Sequence, residues 1–136
     1  YGNGKNVRDW IFVEDHIDGL LKVISHGEIG KSYCIGGFGE KNNLEIVNNI
    51  CEIMDRILKK DFTHKSLIKF VKDRPGHDRR YSIDSELIQK ELNWKPKNNF
   101  LTNLELTVKW NLNNRKWIES TTSQSNFKGT RISNNF

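Results

Sequence analysis

Three of the chain's seven arginines fall within seven residues, in the run Asp73-Arg-Pro-Gly-His-Asp-Arg-Arg80. Pro75 stiffens such a segment, while Gly76 lets the backbone turn tightly or approach a ligand closely. Guanidinium forks crowded on a rigid loop suit an anion, above all a phosphate. The flanking acids Asp73 and Asp78 leave a second reading open, a surface network that neutralises the arginines. Arg8 offers the same chemistry at the end of the Gly/Asn-rich segment Tyr1–Asn6. It too has an alternative, an ion pair with Asp9 or another acid. Asn43 stands where a long helix should begin, and free N–H groups there suit an anion or a sugar hydroxyl. A plain N-cap explains the same asparagine.

Other patterns carry less. Tyr1 and Lys5 fit the Y-x-x-x-K spacing of a catalytic pair, but that pair needs both side chains on one helix face. Gly2 and Gly4 between them argue against a helix, so the match reads as coincidence. No G-x-G-x-x-G or G-x-x-x-x-G-K-[ST] follows any predicted strand, so no dinucleotide or P-loop fingerprint is present. The four histidines and two cysteines lack zinc-ligand spacing, so no metal site is expected. Cys34 and Cys51 form no C-x-x-C pair and read as buried structural thiols of a reducing cytosol.

The elements that must position these residues emerge from periodicity. The 136 residues suit about one domain, and 35 % hydrophobic residues supply one modest core. The longest apolar run, Trp10–Val13, is far short of the roughly 20 residues of a membrane span. No leader pattern opens the chain, and the free thiols give the expectation of a cytoplasmic location. Strands are expected at Trp10–Val13, Ser32–Ile35 and Leu67–Val71. Helices are expected at Glu14–Ser25, with Ile17, Leu20, Leu21 and Ile24 on a core face, and at Leu44–Leu58, Ser85–Leu92 and Leu101–Arg115. Asn43 and Asp84 are the expected N-caps. From Ser120 onward the polar sequence reads as a disordered tail. This order is α/β, but three strands make a thin sheet and the chain opens in mid-loop. It reads as the closing part of a larger α/β protein.

A net charge of +5 suits an anionic partner without naming one. A small nucleic-acid-binding module is a rival reading, although neither the aromatic strand of an RRM nor a finger's Cys/His spacing is present.

Taken together, Tyr1-Gly-Asn-Gly-Lys-Asn-Val-Arg-Asp-Trp10 with Ile-Phe-Val-Glu-Asp-His16, then Tyr33–Gly37, Asp73–Tyr81 and Leu92-Asn-Trp-Lys-Pro96 resemble the C-terminal portion of the dTDP-glucose 4,6-dehydratases. These are extended short-chain dehydrogenases of the nucleotide-sugar branch. The resemblance covers residues 1–118, a nucleotide-sugar-binding region followed by a polar tail, 119–136. The R-D-W piece is shared with related epimerases and decarboxylases, whereas D-R-P-G-H-D-R-R-Y points more narrowly. The resemblance implies a Rossmann-type fold whose nucleotide-binding core is absent from this chain. It implies that Arg8, Asn43, Asp73, Arg74, Pro75, Gly76 and His77 meet dTDP-glucose. It implies an NAD-dependent internal redox cycle with elimination of water, whose catalytic groups lie upstream of Tyr1, in a homodimeric parent. The chain alone is then expected to be inactive and poorly stable. Cys34 and Gly39 stand where the family usually has asparagine, which removes any contact those asparagines make.

Overall fold

A computed structural model describes residues 1–124. The one sheet among them is a two-stranded antiparallel ribbon of β1 (Val7–Asp9) and β2 (Glu40–Asn42), with Val7 opposite Asn42 and Asp9 opposite Glu40. Around it lie α1 (Val13–His26), α2 (Asn43–Leu58), α3 (Glu86–Leu92), α4 (Phe100–Asn113) and α5 (Arg115–Gln124). A 3-10 turn, His64–Leu67, follows α2.

The expected strands move or dissolve for identifiable reasons. Trp10–Val13 is not a buried strand: pairing stops at Asp9, Val13 already opens α1, and Trp10 and Val13 are exposed. Ser32–Ile35 has no strand assignment, although its side chains alternate as a strand's would. Tyr33 and Ile35 pack inward while Cys34 points out. Its backbone has no hydrogen-bonded partner strand among the described residues, although the Tyr33 hydroxyl donates to Glu91 at 2.8 Å. The start of Leu67–Val71 is instead the end of the 3-10 turn, and its remainder is irregular. That turn is tied to α2 by Asp55, which accepts from the His64 N–H at 2.8 Å and the Thr63 hydroxyl at 2.8 Å and meets His64 Nδ1 at 2.5 Å.

The helices follow their periodic patterns more closely. Asn42, not Asn43, caps α2, its Oδ1 accepting from the Glu45 N–H at 2.8 Å. The N-cap of α3 is Ser85 and not Asp84, which stands one residue earlier and accepts from the Glu86 N–H through Oδ1 at 2.9 Å. Asn99 caps α4 through the Thr102 N–H. The helix end expected at Arg115 falls at Asn113, and α5 then continues through the first residues of the expected tail to Gln124. The rest of that tail, 125–136, lies outside the described residues.

The core joins Ile88, Leu92 and Trp94 to Ile11, Val23, Tyr33 and Ile35. Gly19 lets α1 approach it, since a Cβ there would stand 3.1 Å from both Ile35 and Trp94. Ile46, Cys51 and Ile53 of α2 and Val108 of α4 are also buried. Burial pushes the Cys51 thiol pKa up, as expected of an inert structural cysteine, whereas Cys34 is exposed, against expectation. The larger correction concerns α1. Ile17, Leu20, Leu21 and Ile24, expected in the core, are 44–80 % exposed. The helix touches its own chain through Asp15, Asp18, Gly19 and Val23 and presents its apolar stripe outward. No helix among the described residues is long and apolar enough to cross a membrane.

Candidate functional site

The segment Tyr1–Asp9 gathers the candidate residues. Gly2 and Gly4 hold φ of +53° and +71°, so Tyr1–Lys5 is a loop and the Y-x-x-x-K spacing places nothing on a helix face. The loop instead closes the start of α2. The Asn43 N–H donates to the Asn6 carbonyl at 3.1 Å and the Leu44 N–H to the Gly4 carbonyl at 2.9 Å. With Asn42 taking Glu45, the first three N–H groups of α2 are satisfied by protein. This helix start is therefore no backbone cradle for an anion. What Asn43 offers is its side chain, half-buried and without a hydrogen bond among the described residues.

On its other edge β1 is flanked by residues 79–81. The Val7 N–H donates to the Arg79 carbonyl at 2.8 Å, and the Tyr81 N–H to the Val7 carbonyl at 3.1 Å. This pairing brings the arginine loop against Arg8. Arg8 Nη2 donates to the Asp78 carbonyl at 3.0 Å and Nη1 to the Val7 carbonyl at 2.6 Å, with the guanidinium carbon 4.6 Å from the centre of the Tyr81 ring. Asp9 does not pair with it; its carboxylate accepts from the Gly37 and Gly39 N–H groups. Arg8 is thus oriented by neutral groups and keeps its charge unmatched.

The loop itself is a turn with Pro75 second and Gly76, at φ +65°, third, the pattern of a type II turn. Asp73 braces it, accepting from its own neighbour's Arg74 N–H at 2.9 Å and meeting His77 Nδ1 at 2.7 Å. The His77 bond holds the Asp73 carboxyl below its ordinary pKa. Tyr1 meets the His77 ring edge-on at 6.4 Å, and the Gly2 N–H donates to the Val71 carbonyl at 2.9 Å, so the loop docks on the chain's first residues. A Cβ on Gly2 would stand 2.6 Å from Asp73.

The three clustered arginines divide. Arg80 is held by Glu40 through Nε and Nη2 at 3.0 and 2.6 Å, a two-point pair. Arg74 and Arg79 have guanidinium groups without an ion pair or hydrogen bond among the described residues. The network reading therefore applies to Arg80 alone. Two residues that sequence reasoning missed complete the arrangement. Asn6, buried, accepts from the Asn43 N–H and donates to the Asp78 carbonyl at 3.1 Å, linking helix start to loop. Tyr81 carries the Arg8 stack, and its hydroxyl bonds Asp78, which raises the phenol pKa. The Gly/Asn-rich setting hid Asn6, while Tyr81 stood next to the motif in plain view.

Arg8, Arg74 and Arg79 each carry a guanidinium with no paired acid among the described residues, Arg8 is bonded to the loop that carries the other two, and Asn6 links that loop to the backbone of Asn43. A family model described as GDP-mannose 4,6 dehydratase matches residues 1–107. The chain belongs to this family. Curated dTDP-glucose 4,6-dehydratase 1 of Escherichia coli K12 is 45 % identical over 123 residues, which are 90 % of this chain and 34 % of that protein. Among solved structures, dTDP-glucose 4,6-dehydratase from Bacillus anthracis in complex with NAD is 43 % identical with a TM-score of 0.72, covering 86 % of this chain and 35 % of that one. The Streptomyces venezuelae dTDP-glucose 4,6-dehydratase gives 39 %, 0.73, 86 % and 34 %. The chain spans about a third of the length of the dehydratases it matches. Its fold corresponds to that third.

Proposed function

We propose that this chain is the substrate-recognition part of a dTDP-glucose 4,6-dehydratase, a lyase that converts dTDP-glucose to its 4-keto-6-deoxy product and water. The observation that carries this reading is Arg8, fixed by two carbonyls and the Tyr81 ring but paired with no acid. A guanidinium preoriented in this way is spared reorganisation when it receives a diphosphate. Arg74 adds a second unmatched charge from the braced turn, and the Asn43 amide can bond a sugar or base edge. The identity to named dTDP-glucose dehydratases supports thymidine as the base.

NAD does not fit this chain by itself. A dinucleotide is held at the crevice of a parallel βαβ sheet, and the one sheet among residues 1–124 is a two-stranded antiparallel ribbon with a single parallel bridge at its edge, not a βαβ unit. NAD belongs to the rest of such an enzyme, as do the groups that would move protons and hydride. That larger part would also cover the apolar face of α1 and pair with Ser32–Ile35, in a cytosolic homodimer.

The reading is tested by joining the chain to the N-terminal two thirds of the Escherichia coli relative. The fusion should form the 4-keto-6-deoxy sugar from dTDP-glucose, and the chain alone should form none above a blank. An inactive but folded fusion, or product from the chain alone, contradicts it.

A further inference from the structure

One backbone oxygen, the carbonyl of Asp78, accepts two side-chain hydrogen bonds. Arg8 Nη2 donates to it at 3.0 Å and Asn6 Nδ2 at 3.1 Å. A carbonyl oxygen has two lone pairs and takes both donors at once. It donates nothing, so the end of the Asn6 amide that faces it is the nitrogen. Asn6 and Arg8 stand two residues apart where the chain enters β1, and side chains so spaced on extended chain share a face. That spacing brings both to the same oxygen.

The two donors differ in what holds them. Asn6 is buried, at 9 % exposure, and its backbone carbonyl accepts from the Asn43 N–H at the start of α2. Its side chain therefore extends from a fixed point, and its amide bond forms away from competing water. Arg8 is half-buried. Its Nη1 donates to the Val7 carbonyl at 2.6 Å, but Val7 is its own neighbour in the chain, and a bond so local sets no position relative to the loop. That position comes from the Tyr81 ring and from the Asp78 carbonyl. The Asp78 carbonyl lies between the Asp73 brace and the point where Arg79 pairs with Val7. Asn6 ties it down there from the buried side.

We propose that Asn6 is a positioning residue for recognition of the substrate diphosphate: its amide pins the Asp78 carbonyl, and that carbonyl sets the plane of the Arg8 fork. The proposal rests on the reading of Arg8 as the guanidinium that meets dTDP-glucose. A planar fork delivers two parallel hydrogen bonds only when its plane is correct. A fork that loses its aim forfeits about one of them, roughly tenfold in affinity. Asn6 acts through Arg8 and not by a contact of its own.

The test is a double-mutant cycle, read by calorimetric titration of the 136-residue chain with dTDP-glucose. Asn6→Leu keeps the bulk of the side chain, removes its donor and leaves the backbone carbonyl that accepts from Asn43. It should weaken binding about tenfold while circular dichroism shows the fold retained. In an Arg8→Ala background the same substitution should change affinity by about twofold at most, because the group it positions is gone. An asparagine that merely supports the fold would lower affinity by the same factor in both backgrounds. Asn6→Ala, which also removes the donor and asks for no extra space, carries the cycle if the leucine variant does not fold. Unchanged affinity in a folded Asn6 variant, an equal loss with and without Arg8, or failure of both variants to fold would each overturn the proposal while leaving the reading of Arg8 intact. A wild type that binds no dTDP-glucose would contradict that reading, and the proposal would fall with it.

Discussion

Arg8 and Tyr81 form a stacked pair, guanidinium carbon 4.6 Å from the ring centre, in which the tyrosine aims the arginine without neutralising it. The pair exists because residues 79–81 run beside β1. It should therefore separate orientation from charge. Arg8→Ala is expected to weaken dTDP-glucose binding by about tenfold to a hundredfold, the usual range for a lost hydrogen bond to a charged group. Arg8→Lys should recover little, because an ammonium cannot reproduce the planar fork. Tyr81→Phe should stay near wild type and Tyr81→Leu should not. Isothermal titration of the four variants checks this order.

Gly37→Ala should prevent stable folding or cost at least about 1–3 kcal/mol, the range for forcing extra volume into a packed site. A Cβ at Gly37 would stand 1.9 Å from the Trp10 carbonyl oxygen, a backbone atom fixed at the end of β1. Gly39→Ala, whose Cβ meets nothing nearer than 3.7 Å, is the control and should melt as the wild type does. Urea denaturation of both compares them.

The Asp55 carboxyl is held at a pKa of about 2 by hydrogen bonds from His64, first from its backbone N–H and then from its ring, and from Thr63. A carboxylate depressed in the folded state stabilises it above the unfolded pKa of about 3.9, and that contribution is lost as pH falls toward 2. The stability gap between wild type and Asp55→Asn should thus be full at pH 5–7 and close between about pH 4 and pH 2. Glu40, Glu91 and Asp73 are depressed as well, so the gap and not the wild-type curve is the quantity to follow.

Leu21 and Ile24 lie 56 % and 80 % exposed on the outward stripe of α1. The chain by itself should self-associate through this face. The double variant Leu21→Lys/Ile24→Lys should elute as a monomer while its stability changes by no more than about 0.5 kcal/mol, as for surface sites generally. Light scattering after size exclusion distinguishes the two species.

Much of this architecture could be read from the residues. α2 was legible because its apolar spacing is long and its cap is local: Asn42 to Glu45 spans a single turn. The choice between Asn42 and Asn43 was not, since either asparagine can cap and the decision is made by the Gly4 and Asn6 carbonyls from far upstream. The strands failed where their definition depends on neighbours. Ser32–Ile35 has the alternation of a strand but no partner among the described residues, and β1 lies before the apolar run because β2 ends its pairing at Asp9. The α1 stripe was correctly recognised as apolar, yet periodicity cannot say which body covers it. In the site, Arg8 and the Asp73–His77 turn were marked by their residue types. Which arginines are free was not, because the Arg80–Glu40 pair joins residues 40 apart in sequence.

The central claim is that the face of Arg8, Arg74 and Asn43 recognises a thymidine diphosphate sugar. Calorimetric titration of the chain with dTDP-glucose, dTDP, UDP-glucose and GDP-mannose tests it most directly. The account predicts saturable binding that favours the two thymidine ligands and is lost in Arg74→Ala while circular dichroism shows the fold unchanged. A folded chain that binds none of them, prefers UDP-glucose or GDP-mannose, or binds equally well without Arg74 and Arg8 would contradict it.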